Sequence, residues 1–152
     1  MTELVREITI AATPETIWPF LVDGDRHVEW MGTVADLDAR AGGTYCVLVG
    51  GKNRSLGEYV EVVPHEKVVF TFGWDAAEHG IPPGSTTVEI TLHPEGAATR
   101  VRLVHRGLPD DALADHGFGW AHYLGRLATA ATGGDPGPDD PPDNPKPQED
   151  DR

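Results

Sequence analysis

Between residues 33 and 106 apolar side chains recur at nearly every second position, and over 113–131 the period turns helical. A chain patterned this way has to bury one face of an antiparallel sheet, and the later helix is its cover. The clearest piece is "STTVEITLHPEGAATRVRLVHRGLP" (85–109), a hairpin with strands over 86–93 and 99–106 and a Pro- and Gly-containing loop at 94–98. Val88, Ile90 and Leu92 share one face of its first strand, and Val101, Leu103 and His105 share one face of its second. Arg100, Arg102 and Arg106 point the other way, as the solvated face of such a sheet does.

The remaining strands follow from the same period. "TVADLDAR", "GGTYCVLVGG" and "SLGEYVEVVPHEKVVFTFGW" are separated by turn signals at "RAGG" (40–43), "GGKN" (50–53) and "VPHEK" (63–67). Ahead of them, "LVREITIAA" (4–12) reads as a first strand and "TPETIWPFLVD" (13–23) as a helix. Thr13 is its N-cap and Pro14 its first helical residue, where a missing N–H costs nothing. Pro19 then removes a donor, so the helix is short or bent. "DRHVEWMG" (25–32) adds one or two helical turns ending at Gly32.

The last segment, "HGFGWAHYLGRLATAAT" (116–132), looks too rich in glycine for a helix. Yet Leu113, Gly117, Trp120, Leu124, Leu127 and Ala131 recur at helical spacing, with Tyr123 at the border of the stripe. Each glycine costs about 1 kcal/mol against alanine, which a buried stripe can offset. This helix is the cover of the sheet.

Composition limits what such a domain does. The 152 residues suffice for one continuous core, and the formal net charge is −13. Residues 133–152 hold seven acids against two bases, which puts the tail at −5 and the body, residues 1–132, at −8. Both repel a phosphate backbone or an anionic membrane, so nucleic-acid binding is not expected. The tail has six prolines and three glycines and no apolar residue to anchor it; it is expected to be disordered. A single cysteine, Cys46, makes no intramolecular disulfide. No apolar run reaches the ~20 residues that span a bilayer, and the first residues lack a secretory core. The expectation is a soluble, cytoplasmic protein without membrane insertion.

The element order β–α–α–β(five or six)–α, closing in "GWAHYLGRLA", resembles the α+β helix-grip fold of the START-like (SRPBCC) superfamily. Within it the chain is most similar to the bacterial family related to the C-terminal domain of the heat-shock protein 90 ATPase activator. The matching stretches are "ATPETIW" (12–18), "DARAGGTY" (38–45), "GEYVEVVPHEKVVFTFGW" (57–74), "TTVEITLHPEG…TRVRLVHRGLP", and Gly119–Trp120 heading the last helix. They span roughly residues 3–132. The resemblance implies a curved antiparallel sheet wrapped around the long C-terminal helix, with a cavity between them that often holds an apolar ligand. Relatives on this fold include carriers, sensors and polyketide cyclases, so function has to come from the residues.

Those residues offer little for covalent or metal chemistry. His116 and His122 are six apart, about 240° around a helix, and no "HExxH" or Cys–His cluster occurs. No metal and no cofactor is therefore expected. No "GxSxG" is present, Ser55 and Ser85 sit in turn-like contexts, and Cys46 lies in a strand as a small buried hydrophobe. His105 is the main polar candidate: alternation turns it inward, where an imidazole orients a ligand or, more blandly, bonds to backbone or water. Of Glu58 and Glu61, on opposite strand faces, one is a candidate for pointing inward.

The aromatic residues carry the strongest signal. Phe70, Phe72 and Trp74 alternate on one strand face, Tyr59 can oppose them, and Trp120, Tyr123 and Leu124 come from the helix. With His105 these are the candidate cavity residues, for Trp and Tyr combine an apolar body with a polar handle; solid core packing is the competing reading. Trp18 and Trp30, in the short helices, belong to the core or the pocket mouth. The leading expectation is a carrier or sensor for a small hydrophobic or amphipathic molecule. A cofactor-independent cyclase or hydratase acting on a polyketide-like substrate is the alternative, and a chaperone-related module with a protein partner comes third.

Overall fold

A computed structural model describes residues 3–49, 53–75 and 80–139. Strand β1 (Glu3–Ile10) leads into helices α1 (Pro14–Val22) and α2 (Gly24–His27). Six strands follow: β2 (Val34–Leu37), β3 (Thr44–Val49), β4 (Asn53–Val63), β5 (Lys67–Phe72), β6 (Thr86–Glu95) and β7 (Ala98–Arg106). A single 3₁₀ turn (Asp110–Ala112) then starts the long helix α3 (Leu113–Ala131). All seven strands form one curved antiparallel sheet in the order β1-β7-β6-β5-β4-β3-β2. The architecture is the α+β helix grip expected from the sequence.

Local chemistry sets the element boundaries. The Thr13 hydroxyl accepts from the Thr16 amide with Pro14 in the first turn, and α1 is nine residues long with Pro19 inside it. After α2 the chain turns at Gly32, whose φ of +91° suits glycine. The hairpin loop is tighter than the 94–98 expected. Pro94 pairs with Thr99 and Glu95 with Ala98, so only Gly96 and Ala97 turn, with Gly96 at φ +67°. Ser55 lies not in a turn but inside β4, fully buried, with its hydroxyl on the Val47 carbonyl at 3.3 Å.

The register aligns one inward row across the sheet: Leu4 opposite His105, His105 opposite Val88, Val88 opposite Phe70, and Phe70 opposite Tyr59. α3 crosses this face with Gly117, Trp120, Tyr123, Leu124, Leu127, Ala130 and Ala131 buried, and it packs closely on β1. Gly117 leaves room for β1 side chains; a Cβ there would run into the Arg6 guanidinium and stand 3.2 Å from Leu4 Cδ1. On the outer face Arg100, Arg102 and Arg106 pair with Glu3, Glu7, Glu89 and Glu95 at 2.7–3.2 Å. Exposed pairs of this kind contribute little, about 0–1 kcal/mol each.

Two further expectations change. Glu58 and Glu61 are both exposed, because a register shift between Tyr59 and Glu61 breaks the alternation; Glu61 pairs instead with Lys67 at 3.2 Å. The segment after α3, expected to lack an anchor from residue 133, is held to the body as far as Asp139. Its anchors are polar: Arg126 Nη1 donates to the Pro136 and Pro138 carbonyls and Nη2 to that of Gly137. Asp139 is itself buried. The rest of the tail, 140–152, and the turn at Gly50–Lys52 lie outside the described residues.

Candidate functional site

The interior between α3 and the sheet is built from rings. Tyr45 stacks on Phe70 with centroids 4.0 Å apart, and Tyr59 meets both edge-on at 6.0 Å. Next to them Phe72 lies 5.2 Å from Trp74, 5.0 Å from His105 and 6.0 Å from Trp120. Such edge-to-face pairs add about 0.5–1.5 kcal/mol beyond burial. Desolvation pushes the Tyr45 and Tyr59 hydroxyls well above the usual phenol range, so both stay neutral donors. The Tyr59 hydroxyl reaches the Leu21 carbonyl at 3.5 Å.

A chain of hydrogen bonds runs through these rings. Trp120 Nε1–H donates to His105 Nδ1 at 3.1 Å, which makes Nδ1 the acceptor and leaves the proton on Nε2. His105 Nε2 then donates to the Thr86 hydroxyl at 2.8 Å, and Thr86 donates to the Phe72 carbonyl at 2.7 Å. His105 is fully buried, and its bonds go to side chains, where backbone or water had been expected. Burial, reinforced by the neighbouring His116, lowers its pKa from 6.5 to about 3. It is a neutral ring with both nitrogens committed.

Half-buried Trp74 and His116 border this chain. Trp74 Nε1–H donates to His116 Nε2 at 3.2 Å, and His116 Nδ1 bonds to the Ala112 carbonyl at 2.9 Å. The rings of His116 and His105 are 5.7 Å apart. His116 stands four residues before Trp120, so helical spacing puts them on one face.

Of the candidate residues, Phe72, Trp74, His105 and Trp120 come together in one cluster, and Tyr59 and Phe70 in the adjoining one. Leu124 is buried beneath α3. Tyr123 belongs elsewhere: its hydroxyl donates to Asp139 Oδ1 at 2.7 Å, and its ring lies 5.0 Å from that of His122. Sequence reasoning missed Tyr45, Thr86, His116, Arg126 and Asp139. Tyr45 shares its face with Val47 and Val49, and Thr86 shares one with Val88, so period two was a signal for both. Arg126 and Asp139 looked like ordinary surface charges. Trp30 is core, its indole donating to the Phe20 carbonyl at 2.7 Å, and Trp18 is buried with its ring edge-on to His65 at 6.1 Å. Cys46, expected as a small buried hydrophobe, is only half-buried, on the face of β3 opposite Tyr45, Val47 and Val49, and desolvation raises the pKa of its thiol. A separate open groove of about 600 Å³ runs along Glu61, His65, Lys67, Thr91 and His93, with Val63, Leu92 and Pro94 also in its lining.

Residues 11–132 match the family model described as activator of Hsp90 ATPase homolog 1-like protein. The chain belongs to this family. An AHSA1-like protein from Rhizobium etli is 41% identical, with 99% of this chain and 93% of that one covered and a TM-score of 0.72. The Aha1 dimer from Colwellia psychrerythraea shares the fold at 23% identity, with a TM-score of 0.76 over 88% of this chain and 98% of that one. DynU16, from the dynemicin biosynthetic locus, also has a TM-score of 0.76 at 23% identity, over 88% of this chain and 48% of that one. No curated protein matches the chain. The AHSA1-like match ends at Thr132, so the segment carrying Asp139 lies beyond the matched domain.

Proposed function

We propose that this AHSA1-like chain binds a small hydrophobic or amphipathic molecule between α3 and the inner face of the sheet, as a carrier or sensor. The observation that carries this is the collection of rings with polar handles around Phe72, edged by the half-buried pair Trp74 and His116. A core needed only for stability is filled more cheaply by aliphatic residues, since every buried N–H has to find a partner. Affinity would come from apolar burial at about 25 cal/mol per Å², less the cost of association.

The cyclase or hydratase reading draws on the likeness to DynU16, which at this identity speaks to fold alone. His105 argues against it: a general base needs a free lone pair and a pKa near working pH, and this ring has neither. A docking module for a protein partner finds little support in the large apolar side chains exposed among the described residues, Val34, Val60 and Phe118, which are spread over three elements.

The test is a two-dimensional NMR titration with a panel of fatty alcohols, flavonoids and polyketide-like aromatics. Saturable movement of the Trp74 and Trp120 indole signals, with the amides of β5 and β7, is the expected result. A panel that moves none of them makes these rings plain core and turns the search to protein partners.

A further inference from the structure

Beside α2 and the C-terminal half of α3 lies a second polar cluster, and at its centre is a carboxylate. Asp139 Oδ2 accepts the Gly32 amide at 2.7 Å, and Oδ1 accepts the Tyr123 hydroxyl at the same distance. Arg126, also buried, donates Nε to the Trp30 carbonyl at 2.7 Å and spends Nη1 and Nη2 on the carbonyls of residues 136–138. His122 Nε2, close enough to sense the charges of Arg126 and Asp139, is buried without a hydrogen-bond partner among the described residues. An amide and a phenol are the donors that hold this carboxylate, and beside them stand a guanidinium whose Nη donors come free once residues 136–138 lift and a ring nitrogen left without a partner among the described residues.

The segment that fills this site is poorly secured by everything except polar bonds. Gly133, Gly134, Asp135, Gly137 and Pro138 are exposed and Pro136 is half-buried, so lifting the segment uncovers almost no apolar surface. Opening of that kind sits at the low-energy end of local unfolding. Tyr123 projects from the same buried side of α3 as Trp120, Leu124 and Leu127. A molecule whose carboxylate took the place of Asp139 would therefore lay its apolar part along that side, toward the aromatic interior.

We propose that the Gly32 amide and the Tyr123 hydroxyl form a carboxylate-recognition site that Asp139 occupies from within the chain, and that an apolar ligand bearing a carboxylate enters by displacing it, with Arg126 joining the site as its Nη donors are released from the carbonyls of residues 136–138. This specifies the ligand class for the function proposed above and rests on that reading for the ligand's apolar part. Asp139 is tethered, so it competes at high effective concentration, and the apparent affinity for an external carboxylate falls with the fraction of molecules that are open.

The test titrates the full chain and its Asp139→Ala and Asp139→Asn variants with decanoate and with decanol. Decanoate affinity should rise about tenfold or more in Asp139→Ala, with decanol changing less than twofold, because only the carboxylate competes with the latch. Asp139→Asn, which keeps the shape, covers the case in which the alanine variant folds poorly, and should show a smaller gain of the same sign. Decanoate binding equally to all forms, or decanol gaining as much, overturns the proposal and leaves the ligand-binding role standing. If neither compound binds any form, the ligand-binding role falls, and propionate still decides the site. Saturable movement of the Gly32 amide by propionate in Asp139→Ala, abolished by adding Tyr123→Phe or Arg126→Gln, supports it; no movement overturns it.

Discussion

Trp120 and His105 share a hydrogen bond of 3.1 Å from indole Nε1–H to imidazole Nδ1, and that bond fixes the tautomer of a ring with no exposed surface. Helix and sheet are joined by it at the centre of the interior, and it requires the imidazole to stay neutral.

Acid should therefore weaken the fold well before carboxylates titrate. The His105 pKa falls from 6.5 to about 3, and that of His27, buried against the Met31 carbonyl, to about 4. Between those values and 6.5 the unfolded chain binds more protons than the folded one, so stability rises with pH and is lost as pH falls below 6.5. With both rings contributing, the slope approaches about 2.7 kcal/mol per pH unit. Urea unfolding at pH 7.5 and 5.0 checks this, and equal midpoints would refute it.

Thr86→Val should cost about 2 kcal/mol or more, because it strips His105 Nε2 of its acceptor and the Phe72 carbonyl of a donor at nearly constant volume. Thr86→Ser keeps both bonds and should lose about 1 kcal/mol, the share of one methyl group. Urea midpoints of the two variants make the comparison.

The glycines of α3 should separate by what a methyl group would meet. A Cβ added at Gly119 or Gly125 would have nothing within 4 Å among the described residues, so alanine at each should raise stability by about 1 kcal/mol. At Gly117 the new Cβ meets Arg6 and Leu4 of β1 and should gain nothing. Thermal melts of the three single variants suffice.

Arg126→Lys keeps the charge but cannot hold the Trp30 carbonyl and those of residues 136–138 together. Hydrogen exchange at the Gly32 amide, which rests on Asp139, should accelerate about tenfold, with β6 and β7 unchanged. Unaltered exchange at Gly32 would mean that Arg126 does not secure the segment.

The strands and helices could be read from the chain because period and punctuation agree there. Thr13 and Pro14 opened α1, and the alternation of Val88, Ile90 and Leu92 against Val101, Leu103 and His105 gave the central hairpin with its inward face. The eight cavity candidates all lie on the inner side of the fold except that the Tyr123 hydroxyl turns to Asp139. What failed was polar. Alternation cannot foresee the bulge that sends both Glu58 and Glu61 outward. Nor does composition tell one aspartate in an acidic tail from its neighbours, although Asp139 is bonded to Gly32 across 107 positions of sequence. Arg126 was hidden by its charge, for a guanidinium is buried only where carbonyls converge on it, and that convergence is tertiary.

The strand order leaves β1 and β2 as the two edges of an open sheet. An open edge invites a further strand, from another copy or an unfolded neighbour, to pair with it. β2 offers only four residues, and β1 carries Glu3, Arg6 and Glu7 with α3 packed close by and Arg6 Nη1 turned back onto the Val5 carbonyl. Short length at one end and charge at the other guard against runaway stacking, so the chain can keep an unclosed sheet without drifting toward fibrils.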